Sequence, residues 1–260
     1  MPIHTILGAT GGVGSAVLRG LLSSQIPDLR INILVRSKSK LLEAFPQLES
    51  SSSATITIFE GSISNEDTLK ACIKGASTIY LCVATNHASR KVDIAATTAA
   101  CLVAALGQLR KDQGSEYKKP VVLFNRSAAV NSEVQIPIPG FAKRFMVFAI
   151  WAIYSDLLEA EALYTNAKKD GLLTLITADG PGLMDPKGLE ATGYTFVERG
   201  KISAGLNYAD FGKAIVELGQ RHEEFGGKVV GVSATGAVRV VIFANIWIIL
   251  LGLKSRFLPF

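Results

Sequence analysis

The chain has 260 residues, of which 48% are apolar and 19% are charged, which suits one large α/β domain with a substantial core. The formal net charge of +5 is modest, and no basic run or aromatic-interleaved stripe occurs, so we expect no nucleic-acid partner. Three cysteines and three histidines are scattered, which argues against a metal site and against a disulfide framework. With no secretory signal after Met1, we expect a cytoplasmic protein.

The first half of the chain alternates between apolar runs of strand length and helical patterns. The predicted strands are residues 3–7, 31–35, 55–59, 78–83 and 120–124. The predicted helices are residues 13–22, a short piece at 41–45, one capped by Ser64 or Asn65 and ended by Gly75, and 92–109. Residues 50–53 are predicted to be a polar loop.

The second half is less regular. After the proline-rich residues 137–140, the predicted elements are a long helix over residues 143–169 and strands at 172–177, 200–203 and 228–232. Asp210 is predicted to cap a helix that runs to Leu218.

Strands separated by helices predict parallel pairing, right-handed crossovers and helices on both faces of the sheet. We therefore predict an α/β fold, a Rossmann-type doubly wound parallel sheet. No internal repeat or long linker divides the chain, so residues 1–260 are expected to be one domain. Residues 181–260 would contribute a small C-terminal substrate lobe and an apolar C-terminal helix.

Three glycines at three-residue spacing, Gly8, Gly11 and Gly14, lie between the first strand and the first helix. In a dinucleotide site one such glycine makes the turn, one lets the backbone approach a phosphate, and one lets helix and strand pack closely. The pyrophosphate then rests on backbone N–H groups at the positive end of the helix. An ordinary glycine-rich turn is the alternative. The cofactor contacts predicted here are Gly8, Thr10, Gly11, Gly12, Val13 and Gly14.

The second strand ends in Arg36 and Ser37 instead of the acidic residue that would bind the ribose hydroxyls of NAD. A guanidinium matches a phosphate bidentately, so this end favours the 2′-phosphate of NADP(H), with a solvated basic loop as the alternative. The other predicted cofactor contacts are Ser62 and Ile63 beside the adenine, and Val83, Ala84 and Thr85 along the ribose and nicotinamide.

The motifs at residues 8–14 (GATGGVG), 35–37, 61–62, 156–161 and 178–185 resemble the NAD(P)H-binding, NmrA-like branch of the atypical short-chain dehydrogenases/reductases. The resemblance covers roughly residues 1–235. In layout and in its apolar C-terminus, the chain also resembles the averufin oxidase A type of fungal oxidoreductases from aromatic polyketide clusters. This resemblance implies a Rossmann fold, a bound dinucleotide and a role in secondary metabolism.

Short-chain dehydrogenases use a serine, a tyrosine and, four residues after the tyrosine, a lysine. The resemblance places Ser127 at the serine position and Tyr154 close to the tyrosine position, but Leu158 replaces the lysine. Ser127 could equally be a strand-end hydroxyl, and Tyr154 a core or pocket-wall aromatic. A literal Tyr-x-x-x-Lys at Tyr164 and Lys168 is interpreted as a solvated helix end.

Other candidates have plainer interpretations. Glu159 and Glu161 are interpreted as helix-face carboxylates, and Asp179 stands where relatives often carry arginine. Residues 145–154 are apolar around the whole helix, which predicts a buried or covered helix. Residues 240–253 are too short to span a bilayer and predict a core or homodimer helix, a lid over an apolar substrate, or a membrane-surface contact.

These features favour an NADPH-dependent oxidoreductase acting on an apolar aromatic or quinone-like small molecule. A redox step needs only the nicotinamide held close to its acceptor in a dry pocket, so a missing lysine does not exclude it. The missing lysine does keep two alternatives open: a non-enzymatic NADP sensor of the NmrA-like type, and a non-redox isomerase or cyclase on the same fold.

Overall fold

The computed structural model describes residues 2–49, 54–85, 89, 91–185, 189–239 and 242–257. The predicted polar loop at residues 50–53 lies outside the described residues, as do residues 240–241 of the C-terminal apolar stretch.

The strands are β1 (Ile3–Leu7), β2 (Arg30–Val35), β3 (Thr55–Glu60), β4 (Thr78–Leu81), β5 (Val121–Ser127), β6 (Val134–Gln135), β7 (Thr174–Gly180), β8 (Gly182–Met184), β9 (Tyr194–Val197), β10 (Gly200–Lys201), β11 (Gly205–Asn207) and β12 (Val229–Ala234). The α-helices are α1 (Gly12–Leu22), α2 (Lys38–Ala44), α3 (Glu66–Ile73), α4 (Ile94–Gln113), α5 (Gly140–Ala149), α6 (Trp151–Lys169), α7 (Tyr208–Gln220), α8 (His222–Phe225) and α9 (Ile242–Phe257).

Eight strands form one sheet in the order β3-β2-β1-β4-β5-β7-β12-β9. All neighbours in it are parallel except β9, which pairs antiparallel with β12 at the edge. The strand order reverses between β1 and β4, as in a doubly wound sheet, and this confirms the predicted Rossmann-type fold. Two short parallel pairs, β6 with β10 and β8 with β11, lie beside this sheet.

The register brings the strand ends that matter for a ligand to one edge. Leu7 is opposite both Leu34 and Leu81, and Leu81 is opposite Phe124. The segments that follow β1, β2, β4 and β5 therefore leave the sheet on the same side, which is where open α/β sheets bind ligands.

Helices cover both faces of the sheet. On one face α1 and α7 cross so closely that a Cβ at Gly212 would lie 2.4 Å from the carbonyl carbon of Ala16. On the other face α4 packs against α6, with Leu102 and Ala160 fully buried between the helices and the sheet.

The predicted long helix over residues 143–169 is wrong in one respect, because the chain breaks at Ile150, which has φ −113° and ψ 30°. The break separates α5 from α6 and turns Phe145, Phe148 and Trp151 outward, where 53%, 43% and 45% of each residue is exposed. Of the two predictions for residues 145–154, a helix buried within this chain is therefore wrong, and a helix covered by a partner stays a prediction. Tyr154, one turn into α6, is buried.

Of the residues predicted to cap helices, Asn65 does so and Asp210 does not. Asn65 caps α3 by accepting a hydrogen bond from the N–H of Thr68 at 3.0 Å, which selects it over Ser64. Asp210 does not cap α7, because it lies within the first turn. Its buried carboxylate instead accepts hydrogen bonds from the N–H groups of Thr192 (2.8 Å) and Gly193 (3.0 Å), which fixes that loop to α7.

The C-terminal helix α9 packs on α5. A Cβ at Gly252 would lie 2.3 Å from the carbonyl oxygen of Ala149, and Arg256 donates a 2.7 Å hydrogen bond to the carbonyl of Phe148. Of the helices that the structure describes, none has the length and apolar character needed to cross a membrane.

Candidate dinucleotide and catalytic site

The turn after β1 needs glycine at two positions for steric reasons. Gly8 has φ +93°, and a Cβ there would lie 2.8 Å from the carbonyl oxygen of Cys82. A Cβ at Gly14 would lie 2.1 Å from the carbonyl oxygen of Gly8, so α1 starts in direct contact with the turn. These contacts hold the chain in the tight strand–turn–helix shape that the spacing predicts.

The N-terminus of α1 fits an anionic group. Gly11 occupies the N-cap position, no side chain caps it, and the first turn contains no acidic residue. A Cβ at Gly11 would have its nearest neighbour at 3.5 Å, so this position is spatially open. The uncapped N–H groups and the helix dipole are the donors that a pyrophosphate requires.

Tyr208 is a neighbour of this turn that the sequence did not reveal. It begins α7, and its ring lies so close to Gly12 that a Cβ there would be 2.7 Å from the ring carbon Cε1. Gly12 is therefore needed for packing against an aromatic ring. Tyr208 lies about two hundred residues after the turn in the sequence, and no local sequence pattern connects the two.

The end of β2 is basic and open to solvent. Arg36 is exposed, and within the described part of the chain its guanidinium has neither a hydrogen bond nor an ion pair. Ser37 caps α2 by accepting a 3.3 Å hydrogen bond from the N–H of Lys40. The N–H of Lys38 donates to Glu60 at 3.0 Å, so one carboxylate from the neighbouring strand lies beside this basic group.

The remaining predicted cofactor contacts follow β3 and β4. Ser62 is exposed and accepts a 3.2 Å hydrogen bond from the N–H of Ser64, while Ile63 packs against the core. Val83 also packs against the core, Ala84 is exposed and Thr85 is half-buried. Their positions at the carboxyl edge of the sheet agree with a ligand there, and their contacts with a dinucleotide stay predictions.

Ser127 and Tyr154 are brought together. Ser127 is the last residue of β5, not the first after it, and its hydroxyl oxygen accepts a 3.2 Å hydrogen bond from the N–H of Ala129. The side chain of Tyr154, which is 5% exposed, lies close enough to interact with Ser127. Burial raises the pKa of Tyr154, and the interaction with Ser127 only partly opposes this. The tyrosine hydroxyl thus keeps its proton at neutral pH.

The literal Tyr-x-x-x-Lys motif lies elsewhere. Tyr164 is buried against Phe124, with ring centroids 5.3 Å apart, and Lys168 donates a 3.1 Å hydrogen bond to the carbonyl of Gly227. The interpretation as a solvated helix end is wrong for Tyr164, which is a core residue. Nothing in these contacts joins the motif to Ser127 and Tyr154.

A buried ionic network lies next to Ser127 and was missed from the sequence. Arg126 makes two 2.9 Å hydrogen bonds to Asp179 and one of 2.5 Å to Glu161. Asn131 adds a 2.5 Å hydrogen bond to Asp179. Burial alone would lower the pKa of Arg126, but the hydrogen bonds and charges of the two carboxylates raise it overall. Glu161 is therefore more than a helix-face carboxylate, and Asp179 has a basic partner.

Asp156 connects the helix of Tyr154 with the segment after β4. Its buried carboxylate accepts hydrogen bonds from the N–H groups of Ala95 (2.9 Å) and Ala96 (2.8 Å), in the first turn of α4. A negative charge at a helix N-terminus satisfies free donors and complements the dipole. The contact fixes α6, and with it Tyr154, relative to α4.

Two cavities lie around the α5–α6 junction, and neither Ser127 nor Tyr154 is among the residues that line them. One of about 610 Å³ is lined by Ala129, Gly140, Lys143, Arg144, Val147, Phe148, Trp151 and Arg256. The other, of about 500 Å³, is lined by Ser89, Lys91, Val92, Ala149, Ile150, Trp151, Ala152, Ser155, Gly252, Ser255 and Arg256. Trp151 and Arg256 line both, and Ala129 and Ser155 lie two residues and one residue from the pair. Across the described ranges, no cluster of three or more His, Cys, Asp or Glu residues is arranged to hold a metal ion.

Comparison with known proteins agrees with this geometry. Residues 8–110 match a family described as NAD(P)H-binding. The averufin oxidase A of Aspergillus flavus is 37% identical over 92% of this chain and 85% of the relative. The averufin oxidase stcO of Emericella nidulans is 40% identical over 97% of this chain and 87% of the relative.

Solved structures share the fold at low sequence identity. A short-chain dehydrogenase/reductase of Veillonella parvula, solved in complex with NADP, has a TM-score of 0.65 and 18% identity, covering 90% of this chain and 95% of that one. ChuY, an anaerobilin reductase of Escherichia coli, has a TM-score of 0.63 and 13% identity, covering 92% of this chain and all of the other.

Proposed function

The chain belongs to the averufin oxidase family, and from that premise we propose that it is an NADPH-dependent oxidoreductase acting on an apolar, quinone-like aromatic polyketide. That it is an oxidoreductase with an NAD(P)H-binding domain follows from its relatives and from the matched family. The proposed cofactor preference and substrate class depend on the exposed Arg36, on the Ser127–Tyr154 pair and on the cavities at the α5–α6 junction. The observation that carries most weight is the closeness of Ser127 and Tyr154 at the end of β5, on the edge where a dinucleotide would bind.

The preference for NADPH is supported by the charge at the end of β2. Arg36, Lys38 and Lys40 are all exposed there, and the carboxylate of Glu60 accepts a hydrogen bond from the N–H of Lys38. A guanidinium without a protein partner can bind the 2′-phosphate with two charge-assisted hydrogen bonds.

When bound, the reduced nicotinamide supplies a hydride. Tyr154 is suited to donating a hydrogen bond to the substrate oxygen that gains negative charge, because its raised pKa keeps its proton in place. The hydroxyl of Ser127 is proposed to form a hydrogen bond at the same substrate oxygen and to orient the hydroxyl of Tyr154. With Leu158 in place of the lysine, no cation one turn later lowers the tyrosine pKa, so we propose that the proton completing the reduction comes from water.

The substrate is proposed to lie in the two cavities that meet at Trp151 and Arg256. Their combined walls are aromatic and aliphatic, with cations at the rim, which suits a planar apolar ring system carrying polar substituents. We propose that residues 1–260 act as one domain in which residues 181–260 supply the substrate lobe. Within that lobe, Gly252, Ser255 and Arg256 of α9 line the cavities.

The test is NADPH oxidation by the purified protein with a panel of anthraquinones and naphthoquinones, followed at the nicotinamide absorbance. We expect turnover with at least one quinone and tighter binding of NADPH than of NADH. Saturable NADPH binding without turnover of any aromatic carbonyl would overturn the substrate proposal, and absence of dinucleotide binding would overturn the whole proposal.

The role of Arg36 is tested separately by Arg36→Glu. Removing charge-assisted hydrogen bonds to the 2′-phosphate is expected to lower the preference for NADPH over NADH roughly 10- to 100-fold. Arg30→Glu is the matched control, since Arg30 is exposed at the opposite end of the same strand. Equal cofactor preference in the two variants would assign the selectivity to another residue.

A further inference from the structure

Helix α5 exposes its apolar side. Phe141, Phe145 and Phe148 follow one another at i, i+4 and i+7, so they share one face of the helix, and 79%, 53% and 43% of them is exposed. Trp151, at the start of α6, adds a further aromatic that is 45% exposed. Large aromatics are ordinarily buried, and an exposed patch of them marks an interaction surface.

Cations are interleaved with these rings. Arg144 is exposed and lies three residues after Phe141 and four before Phe148, which places it on the same face. The guanidinium of Arg256, from α9, lies 4.0 Å from the centroid of the Phe148 ring. We call Phe141, Arg144, Phe145, Phe148, Trp151 and Arg256 the aromatic–basic face.

The two sequence segments that contribute most of this face carry an excess of positive charge. Residues 136–155 and 236–260 contain five of the 27 Lys and Arg residues and none of the 22 Asp and Glu residues. Elsewhere 22 basic and 22 acidic residues balance, so these two segments account for the entire net charge of +5. Lys91, at the adjoining cavity, is paired with Asp93 at 3.0 Å and adds no free positive charge. The surface therefore complements an anionic partner.

We propose that the aromatic–basic face binds peripherally to the surface of a bilayer that contains anionic lipids. Phenylalanine and tryptophan side chains insert at the boundary between headgroups and acyl chains, while arginine binds lipid phosphates. Polybasic surfaces gain attraction to anionic leaflets in the same way. Helix α9 lies against α5, and no helix in the described ranges has the length and apolar character to cross a membrane, so we place the contact at the bilayer surface. Arg144, Phe148, Trp151 and Arg256 of this face also line the cavity proposed for the substrate, so the proposal is tested by vesicle binding and not by turnover.

A bilayer explains exposed aromatic rings together with unpaired arginines better than a second copy of this chain would. Two copies meeting through the same face would bring Arg144 and Arg256 toward their equivalents with no acidic residue in either segment to pair with them. An anionic lipid surface supplies the missing negative charge and accepts the rings together.

The experiment is co-sedimentation of the full-length protein with phosphatidylcholine vesicles, with and without phosphatidylserine. We expect binding to the anionic vesicles, weaker binding to the neutral ones and release by high salt. Phe141→Ser with Phe145→Ser should abolish binding, and Arg144→Glu should weaken it by more than roughly fivefold. Leu189→Ser and Lys118→Glu are matched controls, being an exposed leucine and an exposed lysine outside both segments.

Folding of each variant is verified by its circular dichroism and thermal transition, which exposed positions should leave unchanged. Vesicle binding that is absent, insensitive to anionic lipid, or equal in the face variants and the controls would overturn the proposal. The parent protein could instead self-associate in size-exclusion chromatography and fail to bind vesicles. If the Phe141/Phe145 variant then removed the self-association, the face would be assigned to contact with a second copy.

Discussion

Arg126 and Asp179 are opposite each other in the register of β5 and β7, and their side chains form a bidentate ion pair. Asp179 is fully buried, and only 8% of the arginine side chain is exposed. Removing such charges from water is costly, so each depends on the other for compensation. Since Ser127 directly follows Arg126, the pair also fixes the end of the strand that carries the candidate catalytic serine.

Replacing Asp179 by asparagine should therefore be strongly destabilising, by about 3–5 kcal/mol, because it leaves a buried guanidinium with only one carboxylate, that of Glu161. Urea unfolding measures the loss. Arg199→Gln is the control, since the Arg199–Glu133 pair is 84% and 58% exposed and its loss should cost at most about 1 kcal/mol. Similar losses for the two variants would show that the buried network contributes no more than a surface pair.

The sequence predicts the sheet and the phosphate turn well because both depend on local patterns. Apolar runs of strand length and a glycine spacing are readable within ten residues, and the strands predicted in the first half of the chain agree with the structure to within a few residues. Contacts between distant segments were not predictable: the ring of Tyr208 against Gly12, and the Arg126–Asp179 pair, join residues that no periodicity connects. The break at Ile150 was missed because the apolar pattern continues unchanged across it.

The two glycines of the turn are expected to respond differently to alanine. Gly14→Ala places a Cβ 2.1 Å from the carbonyl oxygen of Gly8, where only backbone could move, so it should lower the melting temperature sharply. Gly11→Ala meets nothing closer than 3.5 Å and should fold normally, while its methyl group fills the space where a phosphate approaches.

Thermal melting and an NADPH fluorescence titration separate these outcomes. The Gly11 variant should keep the parent melting temperature in the absence of cofactor and lose roughly tenfold or more in affinity, equivalent to about 1.4 kcal/mol. Unchanged affinity would mean that the pyrophosphate is not bound at this turn.

Tyr154→Phe should lower kcat by roughly two orders of magnitude or more, since it removes the hydrogen bond proposed to stabilise the substrate oxygen. NADPH affinity should be retained. Tyr164→Phe is the matched control on the same helix, because its ring belongs to the core and the substitution removes only a hydroxyl. Steady-state kinetics with a quinone substrate distinguish the variants, and full activity of Tyr154→Phe would exclude the tyrosine from catalysis.

His4 should make folding stability depend on pH. It is 4% exposed in β1, its Nδ1 lies 3.0 Å from the hydroxyl oxygen of Tyr80, and burial lowers its pKa from 6.5 to about 4. Between those values the unfolded chain binds more protons than the folded one, so stability falls as pH falls from about 6.5 to about 4. A shift of that size corresponds to about 3 kcal/mol, lost progressively over this window.

Urea unfolding at several pH values, compared between the parent and His4→Gln, isolates this contribution. The glutamine variant does not titrate, so its stability should decline less between pH 6.5 and pH 4, whatever its stability at pH 7. His222→Gln is the control for the replacement of a histidine by glutamine, because His222 is exposed at the start of α8. Identical slopes for the parent and His4→Gln would show that His4 is not the group whose protonation destabilises the fold.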